Sequence, residues 1–433
     1  MRFHLGTTHI PGIEGDPLPL LQGLRQIFPR PVLPNPPEAL LSQMDEKLNP
    51  RDFAGKRIAL GVGSRRIAGL APLVRAAADK LKSFGAAPFI FPAMGSHGGG
   101  QARGQLEVLE GYGITQGAMG VPILSETEVE RIGALPTGTP VYLSQTALKA
   151  DGVVVINRIK PHTDFKGPHE SGLVKMLCIG LGNHPGATAL HSEGFDRMAQ
   201  VLPQAAAVIL GRLKLAFALA VVENGYEETA AVEVVLPPDL MDRDRELLVT
   251  AKGLTARLLM PRIDLLVLHR IGKDISGAGM DPNIVGRMGS GLSEGFAQVP
   301  PIGRIAVLGL SRGARGNGNG IGLADVCTRS CAEAVDWGDT YTNCIASTVT
   351  GPAKLPMVFE TDRLAVLGAL RTIPRITPLT ARIVVIPDTL HLGEIQVSPG
   401  VVEDLGRRED VEILSAPQEM AFSPSGELLG KLL

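Results

Sequence analysis

We predict a two-domain α/β protein with mostly parallel sheets and a cleft between the domains. The chain has 433 residues, which is too long for one ordinary hydrophobic core. Apolar, strand-like runs alternate with segments of helical periodicity, a pattern typical of parallel sheets covered by helices. Glycine-rich turns directly follow several of these runs, as they do where open α/β sheets bind ligands.

The first domain is predicted to cover residues 1–259. It begins with a proline-rich arm, residues 1–55, in which we expect irregular structure and one or two short helices. Periodicity then predicts an alternating series of strands and helices. The strands are 57–62, 88–91, 152–156, 215–222 and 230–236, and the helices are 70–84, 105–112, 195–213 and 242–259.

A second domain is predicted after Met260-Pro261. Strand-like runs at 263–268, 304–310 and 381–386 indicate a second α/β unit over residues 260–390. We expect the remaining segment, 391–433, to pack back on the first domain.

Composition excludes several classes of protein. Apolar residues make up 44% of the chain and aromatic residues only 4%, so the cores must be aliphatic. The net charge of −2 and the lack of interleaved basic and aromatic residues disfavour nucleic acid and membrane surfaces as partners. The sequence offers no secretory signal and no apolar window of membrane-spanning length, so we expect a cytoplasmic protein.

The four cysteines are predicted to be reduced core thiols. None of them forms a CxxC pair, and the chain is long enough to fold without disulfides. They are Cys178, Cys327, Cys331 and Cys344.

The segment 157–194, directly after the strand 152–156, holds four of the nine histidines and three lysines. Histidine supplies a base or a metal ligand near neutral pH, and a desolvated lysine can be a covalent nucleophile. The ordinary alternative is a polar loop whose histidines bind backbone groups. Because site residues concentrate on loops after strands, we interpret the segment as a functional site.

Two earlier turns carry further candidates. His97 lies in SHGGG (96–100), which could cradle an anion on backbone N–H groups or be a plain tight turn. Ser64 and Arg65 follow the strand 57–62, and the arginine could bind a phosphate or carboxylate or be a solvated turn residue. All three turns follow strands, so we expect them to converge at one edge of the sheet.

Together these motifs resemble the nickel-pincer-nucleotide-dependent lactate racemase family. The resemblance rests on SHGGG, KPHTDFKGPHESGLVKM (160–176), GLGNHPGA (180–187) followed by His191, and GNGNGIGLAD (316–325). It covers most of the chain, is strongest from residue 57 to residue 194, and indicates a divergent branch. It implies an isomerase, a racemase or epimerase of a 2-hydroxy acid.

The resemblance also implies a cofactor and roles for individual residues. The cofactor is a nicotinate-derived mononucleotide that holds nickel through one carbon and two sulfurs, and a thioamide would tether it to Lys175. His191 would be the protein's ligand to nickel, and His97 and His162 would be acid/base groups on the two faces of the substrate. Arg65, with Ser64, would contact the cofactor phosphate or the substrate. Reversible hydride transfer to the cofactor would interconvert the enantiomers, and the cofactor's biosynthetic enzymes would be partners.

The chain departs from lactate racemases at two places. An inserted GPHES (167–171) contains His169 and Glu170, which could line a different substrate pocket. In the second domain, the family's Tyr-Gln and lysine are replaced by AGMDP (278–282). The loop 315–325 would either face the cleft or cap a helix.

Two other functions stay open on the sequence. One is a metal-dependent lyase or dehydratase that uses His162, His169 and His191 around a plain divalent ion. The other is a protein that binds the cofactor without turnover. The sequence also leaves open whether the chain forms a homo-oligomer.

Overall fold

The computed structural model describes residues 10–63, 67–291, 296 and 299–430. The chain forms two compact units. One spans Pro29–Thr255, and the other combines Ala256–Leu433 with the N-terminal segment that ends at Phe28. No helix in the described part of the chain is both long and apolar enough to cross a membrane.

The described residues form an α/β fold, which confirms the predicted class. The strands are β1 (Leu20–Gln26), β2 (Arg57–Val62), β3 (Ala87–Pro92), β4 (Val129–Ala134), β5 (Pro140–Ser144), β6 (Gly152–Arg158), β7 (Leu215–Glu223), β8 (Thr229–Val235), β9 (Ile263–Leu268), β10 (Ile302–Val307), β11 (Val326–Thr328), β12 (Met357–Phe359), β13 (Ile383–Ile386), β14 (Glu394–Val397), β15 (Val411–Ile413) and β16 (Gln418–Glu419).

Helices follow most of the parallel strands. They are α1 (Pro36–Lys47), α2 (Leu70–Ser83), α3 (Ala102–Gly111), α4 (Gln116–Met119), α5 (Gln145–Leu148), α6 (Leu173–Lys175), α7 (Asn183–His191), α8 (Met198–Leu210), α9 (Leu240–Leu254), α10 (Pro282–Val285), α11 (Arg329–Glu333), α12 (Trp337–Ser347), α13 (Asp362–Arg371) and α14 (Pro399–Leu405). Met176–Gly180 forms a π-helical turn between α6 and α7.

The unit Pro29–Thr255 is built on a five-stranded sheet in the order β3-β2-β6-β7-β8. Its first four strands are parallel, and β8 is antiparallel to β7. Strands β4 and β5 form a separate antiparallel pair. Both faces of the larger sheet are covered, which is why its central strand is a continuous apolar run rather than an alternating one.

The central strand β6 shows how the two cores are separated. Val153 and Val155 pack into one buried cluster with α8 and α9, whereas Val154 and Ile156 pack into another with α1 and α2. Successive side chains of a strand point to opposite faces, so a run of four β-branched residues contributes equally to both cores. The strand is therefore buried from Gly152 to Ile156, and the candidate site begins just beyond this stretch.

The other unit contains a larger mixed sheet. Among the described residues its order is β12-β11-β10-β9-β13-β14-β1-β15, and β16 also pairs with β1. The five strands from β12 to β13 are parallel, and the pairs that involve β14 and β1 are antiparallel.

The division of the chain differs from the predicted one at both ends. The segment 391–433, expected on the first domain, belongs with Ala256–Leu433, because β14 pairs with β13 and with β1. The N-terminal arm contains β1 as well as α1, and β1 belongs to this same unit. In the pair of β1 and β14, Gln22 lies opposite Val397 and Leu24 lies opposite Ile395. Residues far apart in the sequence are therefore neighbours in this sheet.

The cysteines lie where the sequence predicted. All four are buried and form no disulfide. Burial raises the pKa of the Cys327 thiol to about 12. These thiols are core residues, in the manner of small apolar side chains.

Candidate active site

The candidate site is at the carboxyl edge of the five-stranded sheet. Strands β3, β2 and β6 are parallel neighbours, so the turns that follow them leave from the same edge. Gly63, directly after β2, lies beside the segment that follows β6. A Cβ atom at this glycine would be 3.6 Å from Met176 Cε and 3.7 Å from Asn157 Oδ1.

The turn after β3 packs on the same segment. Gly95 N donates a hydrogen bond to Gly180 O in the π-helical turn, at 3.4 Å. A Cβ atom on Gly100 would lie 3.0 Å from His184 Cβ, and both glycines have positive φ angles of 60° and 66°. Only glycine adopts that backbone easily and allows such close approach. Gly63 and the turn after β3 therefore converge on the segment after β6, as predicted for these described residues, and His97 is exposed on the β3 turn.

Ser64 and Arg65, the predicted contacts of the cofactor phosphate or substrate, lie outside the described residues. Their assignment remains a prediction from the sequence.

His162 is held by the loop that follows β6. The side chain is buried, and its ring lies on Phe165 with the ring centres 4.4 Å apart. Its backbone N–H donates to Glu170 Oε2 at 2.7 Å, and its carbonyl oxygen accepts a hydrogen bond from Lys166 Nζ at 2.9 Å. The ring Nδ1 accepts the backbone N–H of Asp164 at 3.0 Å. The loop thus fixes both the position and the rotation of this histidine.

Glu170 anchors that loop to α9. Its carboxylate is fully buried and lies 2.6 Å from Lys252 Nζ, with Lys166 Nζ at 3.5 Å. The Gly167 N–H also donates to it, at 3.3 Å. A buried carboxylate is costly unless charges and hydrogen bonds compensate it, and here both are supplied. Glu170 therefore acts on the loop that carries His162.

Asp244 of α9 performs the corresponding task for Lys175. Its Oδ1 accepts the backbone N–H of Leu173 at 2.6 Å, and its Oδ2 lies 2.9 Å from His169 Nδ1. A Cβ atom on Gly172 would come within 2.2 Å of the same carboxylate, so only glycine fits there. The buried carboxylate caps the first turn of α6, at the end of which Lys175 lies.

Lys175 is the last residue of α6, and His191 is the last residue of α7. Both side chains are partly buried. Burial, and next the positive charge of Lys175, lower the pKa of His191 to about 4. The imidazole is therefore neutral at pH 7 and carries a nitrogen lone pair, the form in which histidine binds metals.

An aromatic cluster links the two histidines. The ring centre of Phe195 lies 6.0 Å from that of His162 and 5.6 Å from that of His191. Phe165 stacks on Phe195 at 6.4 Å. The cluster brings His162 and His191 to one place, although 29 positions separate them.

Sequence reasoning missed Asp244, although the sequence contains a signal for it. The buried residues of α9 recur at helical spacing, and Asp244 falls on that apolar stripe with Leu240, Leu247, Leu248 and Ala251. An acidic residue on a buried stripe needs a partner inside the protein. Phe165 and Phe195 were also missed, although both are phenylalanines within or beside the histidine-rich segment of a chain poor in aromatic residues.

Asn183 is a buried polar residue at the start of α7. It is 1% exposed and has a φ of 49°. Neither its Oδ1 nor its Nδ2 makes a hydrogen bond with another described residue. Buried amides are nearly always paired, and strained backbone concentrates at ligand sites.

These residues fit the cofactor that the resemblance implies. Lys175 supplies an amine for the tether, His191 supplies a neutral nitrogen suited to nickel, and Asn183 has unpaired amide atoms. No group of three or more His, Cys, Asp or Glu side chains among the described residues is arranged to hold a metal ion. The cofactor that the resemblance implies would bring three nickel ligands of its own, so it would need one histidine from the protein.

The glycine-rich loops of the other unit are held by one another. Asn319 Nδ2 donates to Gly277 O at 3.3 Å, and Lys273 Nζ donates to the same oxygen at 2.6 Å. Asp325 forms an ion pair with Arg287 at 2.7 Å. The loop 315–325 is thus fixed on the turn 273–277 within its own unit.

Comparison with known proteins establishes the fold. A lactate racemase apoprotein from Thermoanaerobacterium thermosaccharolyticum superposes with a TM-score of 0.54 at 15% sequence identity, over 85% of this chain and 93% of that one. A protein from Thermotoga maritima superposes with a TM-score of 0.51 at 13% identity, over 84% and 99%. No family model and no curated protein sequence matches the chain. The chain therefore has a fold like that of lactate racemase.

Proposed function

We propose that this protein is a racemase or epimerase of a 2-hydroxy acid that uses a nickel-pincer nucleotide. The observation that best supports the proposal is that Lys175 is the last residue of α6 and His191 the last residue of α7, in one segment against which the turn after β3 packs. The glycines of the two turns pack on the segment between these residues, Gly63 beside Met176 and Gly100 beside His184. His162 and His191 lie on the same aromatic cluster. The likeness of the fold to lactate racemase supports the same reaction class.

In this proposal Lys175 carries the cofactor and His191 binds its nickel. Such a cofactor would supply a hydride acceptor for the substrate's Cα hydrogen, and Lys175 and His191 would hold it. The chain's own part is to hold both residues in place, since organic chemistry of this kind belongs to the cofactor. Asp244 does so for Lys175 by capping α6.

His97 and His162 are the proposed groups at the substrate's hydroxyl oxygen. Loss of a hydride from Cα is easier if the hydroxyl proton is taken at the same time, and histidine has a suitable pKa for that task. Arg65, with Ser64, is the proposed binding group for a carboxylate or phosphate, because a guanidinium binds such groups bidentately. The proposed cellular location is the cytoplasm, in keeping with the free thiols, and the enzymes that make the cofactor are the proposed partners.

The test uses protein produced together with cofactor-making enzymes, and enantiopure 2-hydroxy acids that carry deuterium at Cα. We expect one of the acids to racemise with the deuterium retained, because the hydride returns to the carbon it left. Racemisation with loss of deuterium to water would contradict hydride transfer and indicate ordinary proton abstraction. A loaded protein that racemises no acid of a broad panel would be a binding protein. Lys175→Ala, which cannot hold the cofactor, is the control.

A further inference from the structure

The loop around His162 determines which ring nitrogen carries the proton. The backbone N–H of Asp164 points at His162 Nδ1 at 3.0 Å. A backbone N–H can only donate, so Nδ1 must offer its lone pair. A neutral imidazole has a single N–H, and here it must be on Nε2.

The surrounding contacts keep the ring in this orientation. The ring lies on Phe165 at 4.4 Å, and the side chain is 7% exposed. The backbone on either side is fixed by Glu170, which accepts the His162 N–H at 2.7 Å, and by Lys166, which donates to the carbonyl oxygen at 2.9 Å. Turning the ring over would replace Nδ1 by a carbon and leave the Asp164 N–H without its acceptor, a change that folded proteins rarely tolerate.

A hydrogen-bond donor and a base need opposite states of the same nitrogen. A base must present a lone pair to the substrate, whereas Nε2 of His162 presents a proton. Release of that proton from the neutral ring would leave an imidazolate, which is not formed near neutral pH. Protonation at Nδ1 would set two N–H groups against each other at Asp164.

We propose that His162 is a fixed hydrogen-bond donor to the substrate oxygen and not one of two equivalent bases. His97, exposed on the β3 turn, is then the group that exchanges the hydroxyl proton. The donor role rests on the proposed function, but the tautomer of His162 does not. The two can therefore fail separately.

The tautomer is tested on the full-length chain without cofactor. Protein labelled with ¹⁵N in its histidines is examined by NMR at neutral pH, and the His162 signals are identified by their loss in His162→Gln. We expect Nε2 to be protonated and Nδ1 unprotonated. A ring protonated on Nδ1, or on both nitrogens, would overturn the proposal whatever the protein's activity.

The role is tested on the cofactor-loaded enzyme with two amide replacements. Glutamine places an N–H₂ donor near the position of Nε2, whereas asparagine places its amide near Nδ1. We expect His162→Gln to exceed His162→Asn in kcat by about tenfold or more, since one lost donor to a developing charge costs about 10²–10³-fold. His97→Gln should lose about 10²–10⁴-fold, because an amide takes up no proton.

If His162→Gln is as inactive as His97→Gln while folded and loaded, the donor role is wrong. If the loaded wild type racemises no acid, the proposed function fails, and the NMR measurement still decides the tautomer.

Discussion

Lys175 and His191 are coupled electrostatically, although 16 positions separate them in the sequence. Burial, and then the lysine's positive charge, lower the pKa of the imidazole to about 4. Two helices with a π-helical turn between them bring the pair together, and π-helical segments are frequent at functional sites. The arrangement gives one amine and one neutral ring nitrogen within electrostatic reach of each other.

Removing the lysine's charge should raise the pKa of His191. A folded-state pKa below the ordinary value means that the unfolded chain binds the proton more tightly, so stability is full above about pH 6.5 and falls as the pH drops towards 4. In Lys175→Met the loss of stability on lowering the pH should be smaller, because the pKa of His191 moves back towards 6.5. NMR titration of His191 together with urea unfolding at pH 7 and pH 5 measures both effects. An unchanged titration curve would show that the two side chains are not coupled.

Asp244→Ala should destabilise the protein strongly. The substitution removes the cap of α6 and leaves His169 Nδ1 buried without its carboxylate partner, and each buried polar group left unpaired costs about 1–3 kcal/mol. Urea unfolding gives the free energy. Asp242→Asn on the same helix is the matched control, because its pair with Arg245 is exposed and contributes less than about 1 kcal/mol. Equal effects of the two substitutions would contradict the role assigned to Asp244.

His97→Ala and His162→Ala should each abolish racemisation while the cofactor stays attached. Both substitutions remove a group that we propose at the substrate's hydroxyl oxygen, and both retain the Lys175 and His191 side chains. Chiral chromatography of the product and the intact mass of the same sample give the two readouts. Racemisation retained in both variants would contradict the assignment of these histidines.

Asn183→Gly should separate stability from ligand binding. Glycine adopts the positive φ of this position without strain, and the substitution removes an unpaired buried amide. We therefore expect no loss of apoprotein stability but a lower level of cofactor loading. Asn183→Ala also lacks the amide but retains the strained backbone, so it should be less stable than the glycine variant by about 1 kcal/mol. Normal loading of both variants would exclude a ligand role for Asn183.

The strands of the site could be predicted because their signal is local. The apolar runs at β2, β3, β6 and β7 are buried on both faces and stand out in the sequence without reference to a partner. The convergence of the turns followed from the parallel order of these strands. The sequence alone was therefore sufficient to predict that these turns leave from the carboxyl edge of the sheet.

Other features depend on distant partners and have no local signal. Strand β1 is hidden in a proline-rich arm, and its partner β14 lies about 370 residues away. The same pairing explains why the end of the chain was assigned to the wrong unit. From the sequence, His169 and Glu170 could line a substrate pocket. In the structure both side chains are buried, and they bind Asp244 and Lys252 of α9.

The most direct test of the central claim is an intact-mass spectrum with nickel analysis of protein produced together with cofactor-making enzymes. We predict an adduct that maps to Lys175 and about one nickel ion per chain, bound through His191. In His191→Ala the adduct should remain and the nickel should be lost. An unmodified Lys175 in the presence of available cofactor would contradict the account. The divalent ion bound by His162, His169 and His191 would then be the next property to measure.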